Sequence, residues 1–152
     1  MPKEHRKMIS KNKKARHEYA IIDHYEAGMV LQGTEVKSIR LGRVNLKDCY
    51  AKIKKGEVFV HQMHIGACPF TYYDNHDPLR VRKLLLHYHE IRKLIGKVNE
   101  KGFSLIPLDI YFKDGKIKMT IALAKGKKVH DKREDIRRRD EKRDMDRERK
   151  YR

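Results

Sequence analysis

The sequence predicts a mainly β domain, an antiparallel β-barrel with flanking helices, set between a basic N-terminal arm and a charged C-terminal tail. Three observations carry this expectation. Runs of β-branched and aromatic residues are short and punctuated by turn-formers about every 8–12 positions, the spacing of sandwiches and barrels. Only residues 91–98 hold a strong helical period. Bulky apolar residues thin out at both ends of the 152-residue chain, which leaves its middle to build one modest core.

Taken in order, residues 1–11 offer little beyond Met8 and Ile9 to a core and read as a flexible arm whose ordering entropy nothing offsets. The folded domain is assigned to residues 12–124. A strand is expected over residues 18–23, rich in β-formers (Tyr19, Ile21, Ile22), and Gly28 opens a second short run, Met29-Val30-Leu31. Thr34 is placed as the N-cap of a short helix over 35–41, with Glu35 in its first turn, Val36 and Ile39 on one face and Gly42 as its stop. Residues 50–54 and 58–63 form two strands about the turn Lys55-Gly56. Residues 69–78 are full of turn-formers and read as a long loop, either functional or poorly ordered.

Residues 82–87 give another strand through Leu84-Leu85-Leu86. It leads into the helix whose Ile91, Leu94, Ile95 and Val98 follow i, i+3, i+4, i+7, ended by Gly102. Residues 103–112 and 116–124 form a hairpin about Lys113-Asp114-Gly115, with Ile117, Met119, Ile121 and Leu123 on one face and Lys116, Lys118 and Thr120 on the other. These elements suit a closed, OB-like antiparallel barrel with an interrupting helix. From residue 125 the composition turns almost wholly charged, so residues 125–152 read as a tail that is disordered when free and able to become helical on a polyanion.

The formal net charge of +17 repels itself in a compact chain and calls for an anionic partner. No run approaches the ~18 apolar residues of a membrane span, and the N-terminus lacks the apolar stretch of a secretory signal. The expected setting is therefore intracellular, with no membrane partner. Two cysteines, Cys49 and Cys68, read as half-buried thiols rather than a disulfide. No nucleophile elbow or phosphate-binding loop is present, so no enzymatic activity, cofactor or metal is expected. Among the histidines, His61 and His64 lie three apart on a strand and so face opposite ways, and His87 and His89 straddle a strand-to-helix junction.

Nucleic-acid binding has firmer support. Basic residues gather at Lys11, Lys13, Lys14 and Arg16, at Lys37, Arg40 and Arg43, and at Arg80, Arg82 and Lys83. Each group sits beside residues able to stack or to bond to bases, namely His17 and Tyr19, Asn45, and His87 with Tyr88. That mix suits single-stranded or looped RNA.

Five blocks of sequence carry a resemblance. They are Asn12-Lys13-Lys14-Ala15-Arg16-His17-Glu18-Tyr19, Tyr25-Glu26-Ala27-Gly28, Gly33-Thr34-Glu35-Val36-Lys37-Ser38-Ile39-Arg40, Asn75-His76-Asp77-Pro78-Leu79-Arg80 with Arg82-Lys83-Leu84-Leu85-Leu86-His87, and Ile121-Ala122-Leu123-Ala124-Lys125-Gly126-Lys127-Lys128 followed by Asp131-Lys132-Arg133. In this order they resemble the SsrA-binding protein family. The resemblance implies an adaptor of bacterial ribosome rescue that binds the tRNA-like domain of transfer-messenger RNA and carries it to the A site of a stalled ribosome. It implies that Asn12, Lys13, Glu26, Glu35, Lys37, Leu85 and His87 face that RNA. His17 would stack near the decoding centre, and Lys127, Lys128, Asp131, Lys132 and Arg133 would begin a tail lying in the empty mRNA channel. Implied partners are transfer-messenger RNA and the small ribosomal subunit with its 16S ribosomal RNA. Alanyl-tRNA synthetase and elongation factor Tu are met only through the RNA, the chain being a cytoplasmic monomer. The competing reading is an OB-fold ribosomal or initiation-type protein that binds ribosomal RNA alone.

Overall fold

The computed structural model describes residues 6–69, 71, 75–99, 102–127 and 129–150. The elements run β1 (Arg6–Lys11), α1 (Lys13–Glu18), β2 (Tyr19–Met29), α2 (Gly33–Arg40), β3 (Val44–Asn45), β4 (Tyr50–Lys54), β5 (Glu57–His61), β6 (His64–Ile65), β7 (Arg82–Leu85), α3 (Tyr88–Val98), β8 (Phe103–Lys113), β9 (Lys116–Gly126) and α4 (Val129–Lys150). Strand order β8-β4-β5-β7-β2-β9 returns to β8 through the β8–β9 hairpin, so the sheet closes into an antiparallel barrel. The expected architecture, mainly antiparallel β with flanking helices, is the one observed.

Local chemistry explains the turns. Lys55-Gly56 and Asp114-Gly115 each place two successive residues at positive φ (52° and 74°; 51° and 79°), the backbone of a tight hairpin that keeps the strands' right-handed twist. Gly42 at φ 76° follows the last turn of α2, where a side chain would be strained.

Inside the barrel, Ala27, Val58, Val60, Leu84, Leu105, Ile110, Met119, Ile121 and Leu123 pack with Ile39 of α2 and Leu94 of α3. A second, smaller core lies on the outer surface of the hairpin. There Ile106, Leu108, Ala122 and Ala124 receive Ala15 of α1. Burial on both faces is why residues 121–124 read as an unbroken apolar run. Cys49 and Cys68 are free and more deeply buried than expected, and burial pushes the Cys49 thiol up to about 12.

Three expectations are corrected. Residues 6–11 are not a loose arm but the strand β1, paired with β8 from Arg6↔Lys113 to Lys11↔Asp109. The β4 pairing reaches β8 near Leu105, and β1 takes the hydrogen bonds that the rest of this edge leaves open. Residues 13–18 form the helix α1, capped by Asn12, and β2 then runs through Gly28 without a break. Helix α2 is capped by Gln32 rather than Thr34, with Glu35 accepting from the Gln32 amide at 2.8 Å. The charged tail, expected to be able to become helical, is described as the helix α4 over residues 129–150, with pairs such as Arg137–Glu141 at 3.3 Å.

The long loop is ordered where it is described. Asn75 bridges the backbone of Cys68 in both directions at 3.1 Å. The buried His76 ring bonds the Ile65 carbonyl and the Thr34 hydroxyl, each at 2.9 Å. Because a carbonyl only accepts, Nε2 of His76 carries a proton. Tyr72, Tyr73 and Asp74, the centre of the expected loop, lie outside the described residues.

Candidate nucleic-acid interface

The outer surface of β7, β2, β9, β8 and β1 forms one continuous face. Registers put Leu85 beside Gly28, Gly28 beside Lys118, Lys118 beside Tyr111 and Tyr111 beside Met8. The next row runs Glu26, Thr120, Asp109, Lys11. Alternation settles the direction, since the intervening Leu84, Ala27, Met119 and Ile110 are all buried in the core.

Glu26 is held tightly on this face. Its carboxylate accepts a short hydrogen bond from the Tyr111 hydroxyl and pairs with Lys113 at 3.2 Å and Arg6 at 3.5 Å. The Arg6 guanidinium also covers the Tyr111 ring at 5.2 Å. Burial alone would raise the pKa of Glu26, but Tyr111, Lys113 and Arg6 outweigh it and the net shift is downward. Tyr111 is pushed up to about 12, by burial and then by the Glu26 carboxylate.

Leu85, half exposed, lies two positions along from the Glu26 row and two before His87. His87 caps α3, its amide donating to Glu90 at 3.2 Å, and its ring stacks on His89 with centroids 5.6 Å apart. Tyr88 is 74% exposed, and Arg92 sits 5.6 Å from its ring centre. Glu26, Leu85 and His87 are thus brought together by β2 and β7.

Asn12 and Lys13 begin α1 where β1 ends. The Lys13 side chain is exposed, but Asn12 is buried, donating to the Pro107 carbonyl at 3.0 Å and accepting from the Ala15 amide at 3.3 Å. His17, partly exposed, lies in the last turn. Lys127 fastens the tail to this helix, with its amide on the Glu18 carbonyl at 2.8 Å and its Nζ on the Arg16 carbonyl at 3.2 Å. Arg133 is exposed on α4. Lys128 lies outside the described residues, as do the side chains of Asp131 and Lys132 within α4.

Glu35 and Lys37 part company. Lys37 is exposed beside Arg40 on α2, whereas Glu35 is 0% exposed. One Glu35 oxygen accepts from Arg80 at 2.5 Å and the other from the buried Arg82. Arg82 also donates to the carbonyls of Met63 at 2.6 Å, Asp77 at 3.3 Å and Pro78 at 3.2 Å. Burial raises the Glu35 pKa and burial lowers that of Arg82. For Glu35, Arg80, the Gln32 amide and Arg82 win, and the net shift is downward. Glu35 therefore ties α2 to β7 and to the loop before it, and it turns no atom to solvent.

Sequence reasoning missed Lys118, Arg6 and Tyr111 as neighbours of Glu26 and Leu85. The alternation of Lys116, Lys118 and Thr120 marked an outward face but not what stood beside it. Among the described residues no His, Cys, Asp or Glu cluster could hold a metal, and no helix is long and apolar enough to cross a membrane.

Residues 9–151 match the family described as SmpB protein. The chain belongs to the SmpB family. It is 58% identical over 147 residues to the SsrA-binding protein of Bacillus velezensis, covering 97% of this chain and 94% of that one. Its identity to the SsrA-binding protein of Syntrophobacter fumaroxidans is 57% over 146 residues, covering 96% and 91%. A solved structure described as "tmRNA-SmpB: a journey to the center of the bacterial ribosome" superposes with a TM-score of 0.66 at 47% identity, covering 79% of this chain and 85% of that one.

Proposed function

We propose that the chain is the RNA-binding adaptor of trans-translation. It binds the tRNA-like domain of transfer-messenger RNA and delivers it to the A site of ribosomes stalled without a codon. The observation that carries this reading is the outer barrel face of an SmpB-family chain. There Glu26, a carboxylate held in place by three donors, shares a surface with exposed Leu85 and with His87 at the head of α3.

A carboxylate accepts from base amino groups, Leu85 and the imidazole supply surfaces for stacking, and the surrounding lysines neutralise phosphates. Lys13 and Lys37 extend the contact. Asn12 and Glu35 act from beneath it, by holding α1 and α2 in place. His17 and the Lys127 junction face the decoding region, and α4 with Lys128, Asp131, Lys132 and Arg133 lies along the vacant mRNA channel. A charged helix without an apolar face needs no protein groove, only a polyanion-lined path.

The protein performs no covalent chemistry. It acts in the cytoplasm as a monomer, in contact with 16S ribosomal RNA, and meets alanyl-tRNA synthetase and elongation factor Tu through the RNA. The test is a titration against the tRNA-like domain at moderate salt with excess bulk tRNA. Nanomolar affinity that survives the competitor and falls in Glu26→Gln and His87→Ala is expected. Binding that follows salt and ignores RNA identity would refute it and leave a protein of ribosomal RNA alone.

A further inference from the structure

On the far side of the barrel from Glu26, β4 and β5 turn a second face to solvent. In the closed ring β8-β4-β5-β7-β2-β9, β4 stands three strands from β2 and β5 three strands from β9. Ala51, Val58 and Val60 point into the core, so Tyr50, Lys52 and Lys54 of β4 and Glu57, Phe59 and His61 of β5 point outward. The register sets Tyr50 beside His61 and Lys52 beside Phe59, with Lys83 of β7 on the other side of Phe59. The Tyr50 and His61 rings stack, with centroids 5.2 Å apart and planes at 4°. Lys52 Nζ lies 5.4 Å from the centre of the Tyr50 ring. Glu57 is the sole carboxylate of the two strands, and Lys83 holds it at 2.9 Å. Among the described residues no carboxylate pairs with Lys52 or Lys54. Tyr50 and Lys52 also wall a cleft of about 550 Å³ where β4 meets β8 at the pair Ala51↔Leu105, and Tyr19, Ser104 and Ile106 line it too.

We propose that this face is a second RNA site, built for an unpaired strand and separate from the surface that holds the tRNA-like domain. One base continues the Tyr50–His61 stack, a second lies on Phe59, and the cleft beside Tyr50 admits a base turned out of the strand. Lys52 and Lys54 meet the phosphates between them. Aromatic rings interleaved with free ammonium groups suit single-stranded RNA, because every base carries a face to stack and every linkage a charge. A duplex hides its base faces and would use the lysines alone. An acidic peptide would leave the rings idle. The inference goes beyond the function proposed above. It adds a single strand, drawn either from transfer-messenger RNA outside its tRNA-like domain or from ribosomal RNA.

The experiment follows a short labelled oligouridylate by fluorescence anisotropy as the full chain is added, with and without saturating tRNA-like domain, across a salt series. Equal affinity in both conditions is expected, with an RNA duplex of the same length bound about tenfold more weakly. Tyr50→Leu and Phe59→Leu are each expected to weaken the single strand about tenfold, whereas Tyr50→Phe keeps the ring and the affinity. Lys52→Met should flatten the slope of log affinity against log salt by about 0.7. None of these variants should change binding of the tRNA-like domain. Thermal melts verify folding, and Lys52, being exposed, can be replaced without disturbing the core. Lys116→Met, at the exposed hairpin turn across the barrel, should change oligouridylate affinity less than about twofold.

Folded Tyr50→Leu and Phe59→Leu variants that hold the strand at full strength would overturn the proposal, as would equal affinity for the duplex, the mark of a mere polycation. Displacement of the oligonucleotide by the tRNA-like domain would also overturn it, since one site would then serve both. Titrating Phe59→Leu against full-length transfer-messenger RNA and against small ribosomal subunits separates the sources. Weaker binding to the first assigns the strand to that RNA, weaker binding to the second assigns it to ribosomal RNA, and full strength against both overturns the site. Preference of the wild-type chain for the tRNA-like domain over bulk tRNA is read in its own titration, so failure of the adaptor reading is told apart from failure of this one.

Discussion

Replacing Glu35 by glutamine removes one charge from a site with no access to water and leaves its shape almost unchanged. In the wild type, the carboxylate faces Arg80 at 2.5 Å, the fully buried Arg82, and the Gln32 amide at 2.8 Å. Glutamine can accept with one atom only, and its amide nitrogen would point hydrogens at a guanidinium. Arg82 cannot respond by losing its proton, because arginine stays charged in proteins, and it cannot turn to solvent while Met63, Asp77 and Pro78 hold it. Breaking a buried pair by removing one partner costs about 3–5 kcal/mol. At about 2–4 °C per kcal/mol for a chain of this size, the midpoint should fall by roughly 10 °C. Urea denaturation of Glu35→Gln beside Glu35→Met/Arg82→Met provides the assay. The double variant should recover part of the loss, since it leaves no fully buried guanidinium without a partner, and the Arg80 left behind is partly exposed to solvent. A single variant within about 1 kcal/mol of wild type would refute the claim that this pair holds α2 on the barrel. The pair also sets a pH dependence. Because the folded pKa of Glu35 is depressed, its contribution is complete above the unfolded carboxylate pKa and is lost as pH falls through the lower folded value.

Two further outcomes follow from the same contacts. Tyr111→Phe keeps the ring under Arg6 but removes the hydroxyl that Glu26 accepts from, so the Glu26 pKa should rise, and acid destabilisation should set in at higher pH than in wild type. Carboxyl-carbon NMR titration reads this directly, and an unchanged Glu26 midpoint would contradict it. Asn12→Ala loses the cap of α1 and strands the Pro107 carbonyl, which should cost about 1–2 kcal/mol in urea; a loss under about 0.5 kcal/mol would return Asn12 to the solvent-facing set.

Much of this protein was settled by residues close together in the chain. Asp114-Gly115 and Lys55-Gly56 specify hairpins because only a few residue types accept two successive positive φ angles. Ile91, Leu94, Ile95 and Val98 specify α3 because their spacing alone draws an apolar stripe. The charge of the chain and the order of its five blocks led to RNA and to the SmpB family without any coordinates. What composition misjudged were segments whose order depends on a distant partner. Residues 6–11 have little to bury and become a strand only because β8 presents an open edge about a hundred residues later. Glu35 looked like a helix-start carboxylate able to face RNA, and it is internal because Arg80 and Arg82, 45 and 47 residues on, close over it. Gly28, Leu85 and Lys118 are widely separated in sequence and adjacent in register. Periodicity and turn chemistry act within a few residues and can be read in a line. Register between strands is decided only when the barrel closes, because closure fixes at once which side chains share a face.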